Sequence, residues 1–78
     1  HLVYQTQATY EMITLTINGQ PQHFNAPINV AQLIEHLALQ GKRIAIERNG
    51  EIIPRSSFSE QLLADGDQLE VVVAVGGG

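Results

Sequence analysis

The chain has 78 residues, no cysteine and a formal net charge of -4, and 44% of its residues are hydrophobic. This length favours a single domain, and the hydrophobic content is too high for a disordered chain. The lack of cysteine excludes disulfides, thiolate metal sites and a cysteine nucleophile. Because there is neither a basic stripe nor an apolar run of about 20 residues, we expect no nucleic-acid or membrane partner, and a cytoplasmic location.

Residues 1–11 are interpreted as a tag or leader outside the fold. The only methionine is Met12, and a periodic apolar pattern begins directly after it. The alternative is that Leu2-Val3-Tyr4 forms an edge strand. A single domain is therefore predicted over residues 12–78.

The first strand is predicted over residues 13–17, where isoleucine and leucine alternate with polar side chains. Asn18-Gly19 then supplies a two-residue hairpin turn, because both residue types tolerate positive φ. The returning strand is predicted over residues 22–25, with Phe24 in the core.

A helix of about three turns is predicted next, with Asn29 as its N-cap. Its apolar stripe has helical spacing and consists of Val30, Leu33, Ile34 and Leu37. Gly41 is predicted to be the C-terminal glycine of this helix, with Lys42 and Arg43 beside the negative end of its dipole.

A third strand over residues 44–48 leads into the hairpin turn Asn49-Gly50, and residues 51–53 return from it. The next segment, from Ser56 to Ala64, is a connector that can form a short helical turn. Its predicted anchors are Phe58, Leu62 and Leu63.

The last strand is predicted from Gln68 to Val75, after an Asp-Gly-Asp turn. Val72 and Ala74 fall on the opposite face from Leu69 and its apolar neighbours. The first and last strands are the most apolar, so they should lie at the sheet centre. This order predicts an α+β, β-grasp (ubiquitin-like) fold, with a mixed sheet of four to five strands and one main helix on one face.

Three glycines, Gly76, Gly77 and Gly78, follow the last predicted strand and end the chain. Fully extended, they would carry the terminal carboxylate about 10 Å beyond the strand. A carboxylate must be activated before it can accept sulfur or form an amide. The sequence has no phosphate-binding glycine loop, so a partner must supply that activation. The alternative interpretation is an inert, soft chain end.

The segment from Ile44 to Arg55, together with the Asp65-Gly66-Asp67 turn and the Val-Gly-Gly-Gly ending, resembles one known family. This is ThiS, the sulfur carrier protein of thiamine biosynthesis, within the ubiquitin-like MoaD/ThiS group. Members carry a similar Glu-Arg-Asn-x-Glu-Ile-hydrophobic-Pro-Arg hairpin, and the resemblance covers residues 12–78.

The resemblance implies a carrier protein, not an enzyme. A ThiF-type adenylyltransferase would adenylate the carboxylate of Gly78 with ATP and magnesium, and the carrier itself would bind no cofactor. A cysteine desulfurase relay would then convert the adenylate to a thiocarboxylate, and a ThiG-type thiazole synthase would consume its sulfur. Gly77 and, with less weight, Gly76 would be threaded into these partners.

Related carriers dock through the sheet face that the helix leaves open, so the resemblance also suggests Val72 and Ala74 as docking residues. The alternative is that both are ordinary apolar surface residues. Arg48 and Arg55 flank the second hairpin, where they either guide an acidic partner surface or, as we favour, keep an edge hairpin soluble.

The acidic and histidine side chains do not predict a catalytic or metal site. Glu47 and Glu51 stand on either side of a tight turn, which favours solvated charges over paired acid–base groups. His23 and His36 are single residues on different elements, so no metal site is expected.

Three alternatives to the thiamine carrier stay open. The small subunit of molybdopterin synthase shares the thiocarboxylate ending but typically has prolines in its last strand, which residues 71–75 lack. A ubiquitin-like protein modifier would join Gly78 to a lysine. A plain β-grasp binding module would have an inert tail.

Overall fold

The computed structural model describes residues 12–74, which form five strands, one α-helix and one short 3-10 helix. The predicted leader, residues 1–11, and the segment from Val75 to Gly78 lie outside the described residues. Within residues 12–74, the single α-helix is too short and too polar to cross a membrane.

The strands form one mixed sheet in the order β2-β1-β5-β3-β4. They are β1 (Ile13–Ile17), β2 (Gln20–Phe24), β3 (Ile44–Arg48), β4 (Glu51–Ile52) and β5 (Gln68–Val73). The helix α1 covers Val30–His36, and the 3-10 helix covers Arg55–Ser57. β1 pairs with β5 in parallel, and the other pairs are antiparallel. This topology confirms the predicted β-grasp fold with the first and last strands inside the sheet.

Both Asn-Gly turns were predicted correctly. Asn18 and Gly19 have φ angles of 51° and 81°, and Asn49 and Gly50 have 51° and 88°. Two successive positive φ angles define the type I′ turn, whose twist matches that of the flanking strands. The first turn is so tight that β2 begins two residues earlier than predicted, at Gln20.

The core lies between α1 and one face of the sheet. Its buried hydrophobic members are Ile13, Leu15, Ile17, Val30, Leu33, Ile46, Ile53, Leu63, Leu69 and Val71. Phe24 and Phe58 are only partly buried and pack against this core. In the connector, Leu63 is buried as predicted, but Leu62 is 59% exposed. The prediction that Leu62 anchors the connector was therefore wrong, because its backbone bridges to Asn29 while its side chain points outward.

The start of α1 is fixed by the predicted cap. The side chain of Asn29 accepts a hydrogen bond from the backbone N–H of Gln32 at 2.7 Å. The side chain of Gln32 in turn accepts from the N–H of Asn29 at 2.8 Å. This reciprocal capping box satisfies two backbone donors that have no partner inside the helix.

The end of α1 differs from the prediction. The helix has seven residues, about two turns instead of three, because Ala38 adopts a positive φ of 58°. The N–H of Ala38 donates to the carbonyl of Glu35, and the N–H of Leu39 donates to that of Ile34, each at 3.0 Å. These two bonds form a Schellman motif with alanine in the position that glycine usually takes. Gly41 lies beyond it, in the following turn.

The left-handed backbone at Ala38 predicts a stabilising substitution. Ala38→Gly should raise the free energy of unfolding by about 0.5–1 kcal/mol, because a side chain disfavours this conformation by more than glycine loses in chain entropy. Urea denaturation measures the change. Ala31→Gly, inside α1, is the matched control and should lower the same quantity by about 0.5–1 kcal/mol. Equal effects of the two substitutions would contradict the proposed strain.

Candidate functional site

The strand that leads to the glycine tail is held on both sides along most of its length. On one side, β5 pairs with β3 from Leu69 to Val73. On the other, the N–H of Asn18 donates to the carbonyl of Leu69 at 2.9 Å, where the parallel pairing with β1 ends. The side-chain amide of Asn18 then bonds both backbone groups of Val71, donating to its carbonyl at 3.1 Å and accepting from its N–H at 2.8 Å. This amide extends the β1 side of the ladder to Val71.

Beyond Val71, β3 continues to hold the strand. Val73 lies opposite Ile44, and the N–H of Ala74 donates to the carbonyl of Arg43 at 2.8 Å. Pairing with β3 therefore extends to the last described residue. The predicted tail, Gly76 to Gly78, lies outside the described residues, so its place in a partner stays a prediction.

The start of β5 is fixed by a polar cluster around Asp67, which is only 7% exposed. Its carboxylate accepts hydrogen bonds from the N–H of Ala64 at 2.9 Å and from the side-chain amide of Asn49 at 3.0 Å. It also forms an ion pair with Nε of Arg48 at 2.8 Å. The amide oxygen of Asn49 accepts from the N–H of Gln68 at 2.9 Å, which ties the second hairpin to β5.

The surroundings of Asp67 set its acidity. Burial acts to raise the pKa of the Asp67 carboxyl, but the hydrogen bonds from Ala64 and Asn49 and the charge of Arg48 outweigh it. The pKa therefore lies below its usual value of 3.8. Asp67 is held as a carboxylate, and the cluster is complete at neutral pH.

Arg48 and Arg55, both predicted as candidate partner residues, lie in different settings. Arg48 is opposite the buried Leu69, on the sheet face that α1 covers. Besides its ion pair, it donates to the side chain of Gln61 at 3.0 Å. Arg55 is exposed at the start of the 3-10 helix. Arg48 therefore joins the hairpin to the connector from inside the fold, and only Arg55 is fully presented to solvent.

We call the sheet face that α1 does not cover the open face. On β3 and β5 it carries Ala45, Glu47, Glu70 and Val72, and Ala74 follows directly after β5. Val72 is 61% exposed, and Ala74 is also exposed. The predicted position of these two residues on the open face is thus confirmed. Their docking role is not tested by the fold and stays a prediction.

The other titratable candidates make separate contacts. Glu47 lies opposite Ile52 and Glu51 opposite Arg48, so the two glutamates point to different faces of the sheet. Nδ1 of His23 is 2.9 Å from the hydroxyl of Thr14. Among residues 12–74, no group of three or more acidic or histidine side chains could hold a metal ion.

Two residues of this site were missed from the sequence. Asn18 was recognised only as a turn residue, although its amide also holds Val71. Asp67 was recognised only as part of a turn, although it is the buried acceptor of the cluster. A polar residue in a turn is usually solvated, so nothing in the local pattern distinguished either one; both roles depend on strand register.

The fold and the site define a β-grasp domain in which the central strand precedes the three glycines at positions 76–78. The chain matches the model of the ThiS family over residues 15–78. It therefore belongs to the ThiS family.

Solved structures and curated relatives agree with this assignment. The crystal structure of the thiamine biosynthesis protein ThiS from Geobacter metallireducens is similar, with a TM-score of 0.72 and 33% identity over 85% of this chain and 100% of that one. The sulfur carrier protein ThiS of Bacillus subtilis is 35% identical over 65 residues, which cover 82% of this chain and 98% of that protein.

A third relative is much longer. The thiazole synthase of Paramagnetospirillum magneticum is 42% identical over 64 residues, which cover 82% of this chain but only 20% of that protein. The chain thus spans about a fifth of that relative's length.

The contrast between the two arginines predicts different effects on stability. Arg48→Gln should lower the free energy of unfolding by about 1–3 kcal/mol, because it leaves the buried carboxylate of Asp67 without its cation. Arg55→Gln makes the same chemical change at an exposed position and should stay within about 0.5 kcal/mol of the wild type. Urea denaturation of both variants measures this, and similar losses would show that Arg48 does not stabilise Asp67.

The lowered pKa of Asp67 predicts loss of stability in acid. A carboxyl whose pKa is lower in the folded state stabilises the fold above its unfolded pKa, near 3.8, and loses that contribution as pH falls through the folded value. The wild type should therefore lose more stability between pH 6 and pH 3 than Asp67→Asn does. Glu60→Gln removes an exposed carboxyl of the connector and is the control for the change in net charge. If the free energy of unfolding of Asp67→Asn falls as steeply with pH as that of the wild type, Asp67 does not have this role.

Proposed function

We propose that this protein is the sulfur carrier of thiazole formation in thiamine biosynthesis. The observation that carries the proposal is the family match, which extends from β1 through the C-terminal glycines. A sulfur carrier with the same family name is similar over nearly its whole length. In this role the chain is a co-substrate of other enzymes and not itself a catalyst.

The reacting group is the carboxylate of Gly78. An ionised carboxylate is a poor electrophile, so one of its oxygens first attacks the α-phosphorus of ATP and pyrophosphate leaves. The resulting acyl-adenylate carries a good leaving group, AMP. A ThiF-type adenylyltransferase would bind the ATP and magnesium, since the chain has no phosphate-binding motif of its own.

Sulfur would then replace AMP at the carbonyl carbon of Gly78. A cysteine desulfurase relay supplies it as a persulfide, whose terminal sulfur attacks the carbonyl and expels AMP. Cleavage of the sulfur–sulfur bond by a thiol leaves a thiocarboxylate on the carrier. Because the chain has no cysteine, it cannot form a thioester or disulfide with its own tail during these steps.

A ThiG-type thiazole synthase would receive the sulfur. Two of the longer relatives are named thiazole synthase, at 42% and 32% identity, and each contains a segment similar to this chain. A carrier-like segment within such a protein supports a functional link between the two activities. The same names favour thiamine over molybdopterin as the destination of the sulfur.

The fold suits a carrier that several enzymes must recognise. β5 is held from Leu69 to Val73, which leaves the following glycines as the part that enters a narrow cleft. Val72 and Ala74 would join the docking surface beside the tail. Arg55 is the more accessible of the two arginines for contact with a partner, since Arg48 is occupied by Asp67.

The direct test is the intact mass of the chain after incubation with ATP, magnesium, an adenylyltransferase and a persulfide donor. We expect one oxygen at the C-terminus to be replaced by sulfur. A chain that ends at Val75 keeps a carboxylate but lacks about 10 Å of reach, so it should stay unmodified.

Two results would contradict the carrier role. One is an unchanged mass with an adenylyltransferase that is active on another carrier. The other is growth without added thiamine of cells that lack a carrier of their own and express this chain without its glycines. Conjugates of high mass in a lysate would favour a protein modifier instead, and growth rescue of a molybdenum-cofactor mutant alone would favour the molybdopterin pathway.

A further inference from the structure

The open face carries charges of opposite sign at its two ends. Glu47 and Glu70 are directly opposed on β3 and β5, next to the second hairpin turn. At the other end, Arg43 lies opposite Ala74, since its carbonyl accepts from the N–H of Ala74. Arg43 directly precedes β3 and Ala74 directly follows β5, and the hydrogen bond between them continues the ladder by one residue. The alternation of side chains then places Arg43 on the open face with Ala74 and the two glutamates. The two ends are about 13 Å apart, the length of four residues of a strand.

The acidic end is not explained by the stability of the fold. Like charges on directly opposed strand positions destabilise a sheet. Within residues 12–74, the only ion pair joins Arg48 to Asp67, so neither Glu47 nor Glu70 has a salt-bridge partner there. Two carboxylates are therefore kept side by side on an interior pair of strands, which indicates a use outside the fold.

A depression of about 410 Å³ lies beside these carboxylates. Its walls come from β1, β3, β5 and both Asn-Gly turns, and they include Glu47, Glu70, Gln68, Gly19 and Gly50. A Cβ built on either glycine would meet nothing within 4 Å, so the turns leave this space open. A depression that two carboxylates border suits the ammonium or guanidinium group of a basic side chain.

The middle of the open face is apolar. Ala45 and Val72 are directly opposed, and both are exposed. They lie between the acidic end and Arg43. An apolar centre with charged groups at its edge is the usual composition of a protein–protein interface.

We propose that the enzyme that adenylates the tail docks on the open face through a surface whose charges are opposite in sign to those of that face. A basic side chain of that enzyme enters the depression beside Glu47 and Glu70, and an acidic group meets Arg43 beside the mouth of its cleft. This inference rests on the proposed carrier function. Complementary charges at two separated points fix the orientation of a complex, so the glycine tail is aimed at the ATP site in one direction only.

Charge reversal at each end tests the proposal. Adenylation is measured by the release of pyrophosphate. Glu70→Lys and Arg43→Glu should each raise the KM for the carrier by roughly tenfold and leave kcat unchanged. Added salt should raise the KM of the wild-type carrier more than the KM of either variant. Glu60→Lys, at an exposed position of the connector, makes the same change of net charge as Glu70→Lys and is its matched control; it should keep the wild-type KM.

A neutral variant separates docking from folding. Glu70→Gln removes the repulsion with Glu47, so it should unfold at the same or a higher urea concentration than the wild type. Its KM should nevertheless rise severalfold. A variant that folds at least as well but binds worse identifies Glu70 as a recognition residue.

The possible outcomes are distinguishable. If Glu70→Lys, Arg43→Glu and Glu60→Lys share one KM, the polarity inference is wrong and the carrier function stands. If the first two are adenylated normally but deliver sulfur poorly to the thiazole synthase, the face serves that enzyme and the proposal as stated is wrong. If the wild type is never adenylated, both the function and the inference fall.

Discussion

The position of β5 between β1 and β3 is the constraint on which the rest of the molecule depends. One side of β5 pairs in parallel with β1, and the other forms an antiparallel ladder with β3 from Leu69 to Val73. The same strand contributes Leu69 and Val71 to the core and leads into the glycines. Moving β5 relative to the domain would therefore require breaking the sheet and the core together. A carrier built this way presents its last residues from a fixed origin.

Two groups of polar contacts hold β5: one fixes the start of the strand, and the other takes over where the backbone pairing with β1 ends. At the start of β5, the carboxylate of Asp67 joins the second hairpin to the connector through its contacts with Arg48, Asn49 and Ala64. The hydrogen bond from the N–H of Gln68 to Asn49 then ties this cluster to the strand. Farther along, the amide of Asn18 replaces a strand partner for Val71. Both groups are hydrogen-bonded at each buried atom, since no buried side-chain N or O within residues 12–74 is without a partner. Such a satisfied network specifies register as well as adding stability.

The sequence allowed the strands, both hairpins and the helix start to be predicted, because each depends on local chemistry. Alternation identified β1, and Asn-Gly pairs identified the turns that only such residues form readily. The predicted end of the helix was wrong because Ala38 takes a left-handed conformation, which alanine disfavours. The packing of Ile34 and Leu39 against the core favours this conformation, and such tertiary contacts are not visible in the local sequence. The role of Arg48 could not be foreseen for a similar reason. Its partner Asp67 is 19 positions away and meets it only through the pairing of β3 with β5.

The charges on the two faces of the sheet have different roles. The face under α1 contains the buried side chains and the Arg48–Asp67 pair, so its charges are neutralised inside the fold. The open face keeps its charges unpaired among residues 12–74, with Glu47 and Glu70 at one end and Arg43 at the other. A carrier must be recognised by one enzyme after another while its fold stays the same. Placing fold-stabilising charges on one face and recognition charges on the other lets partner affinity change through Glu70 or Arg43 without altering the strand that holds the tail.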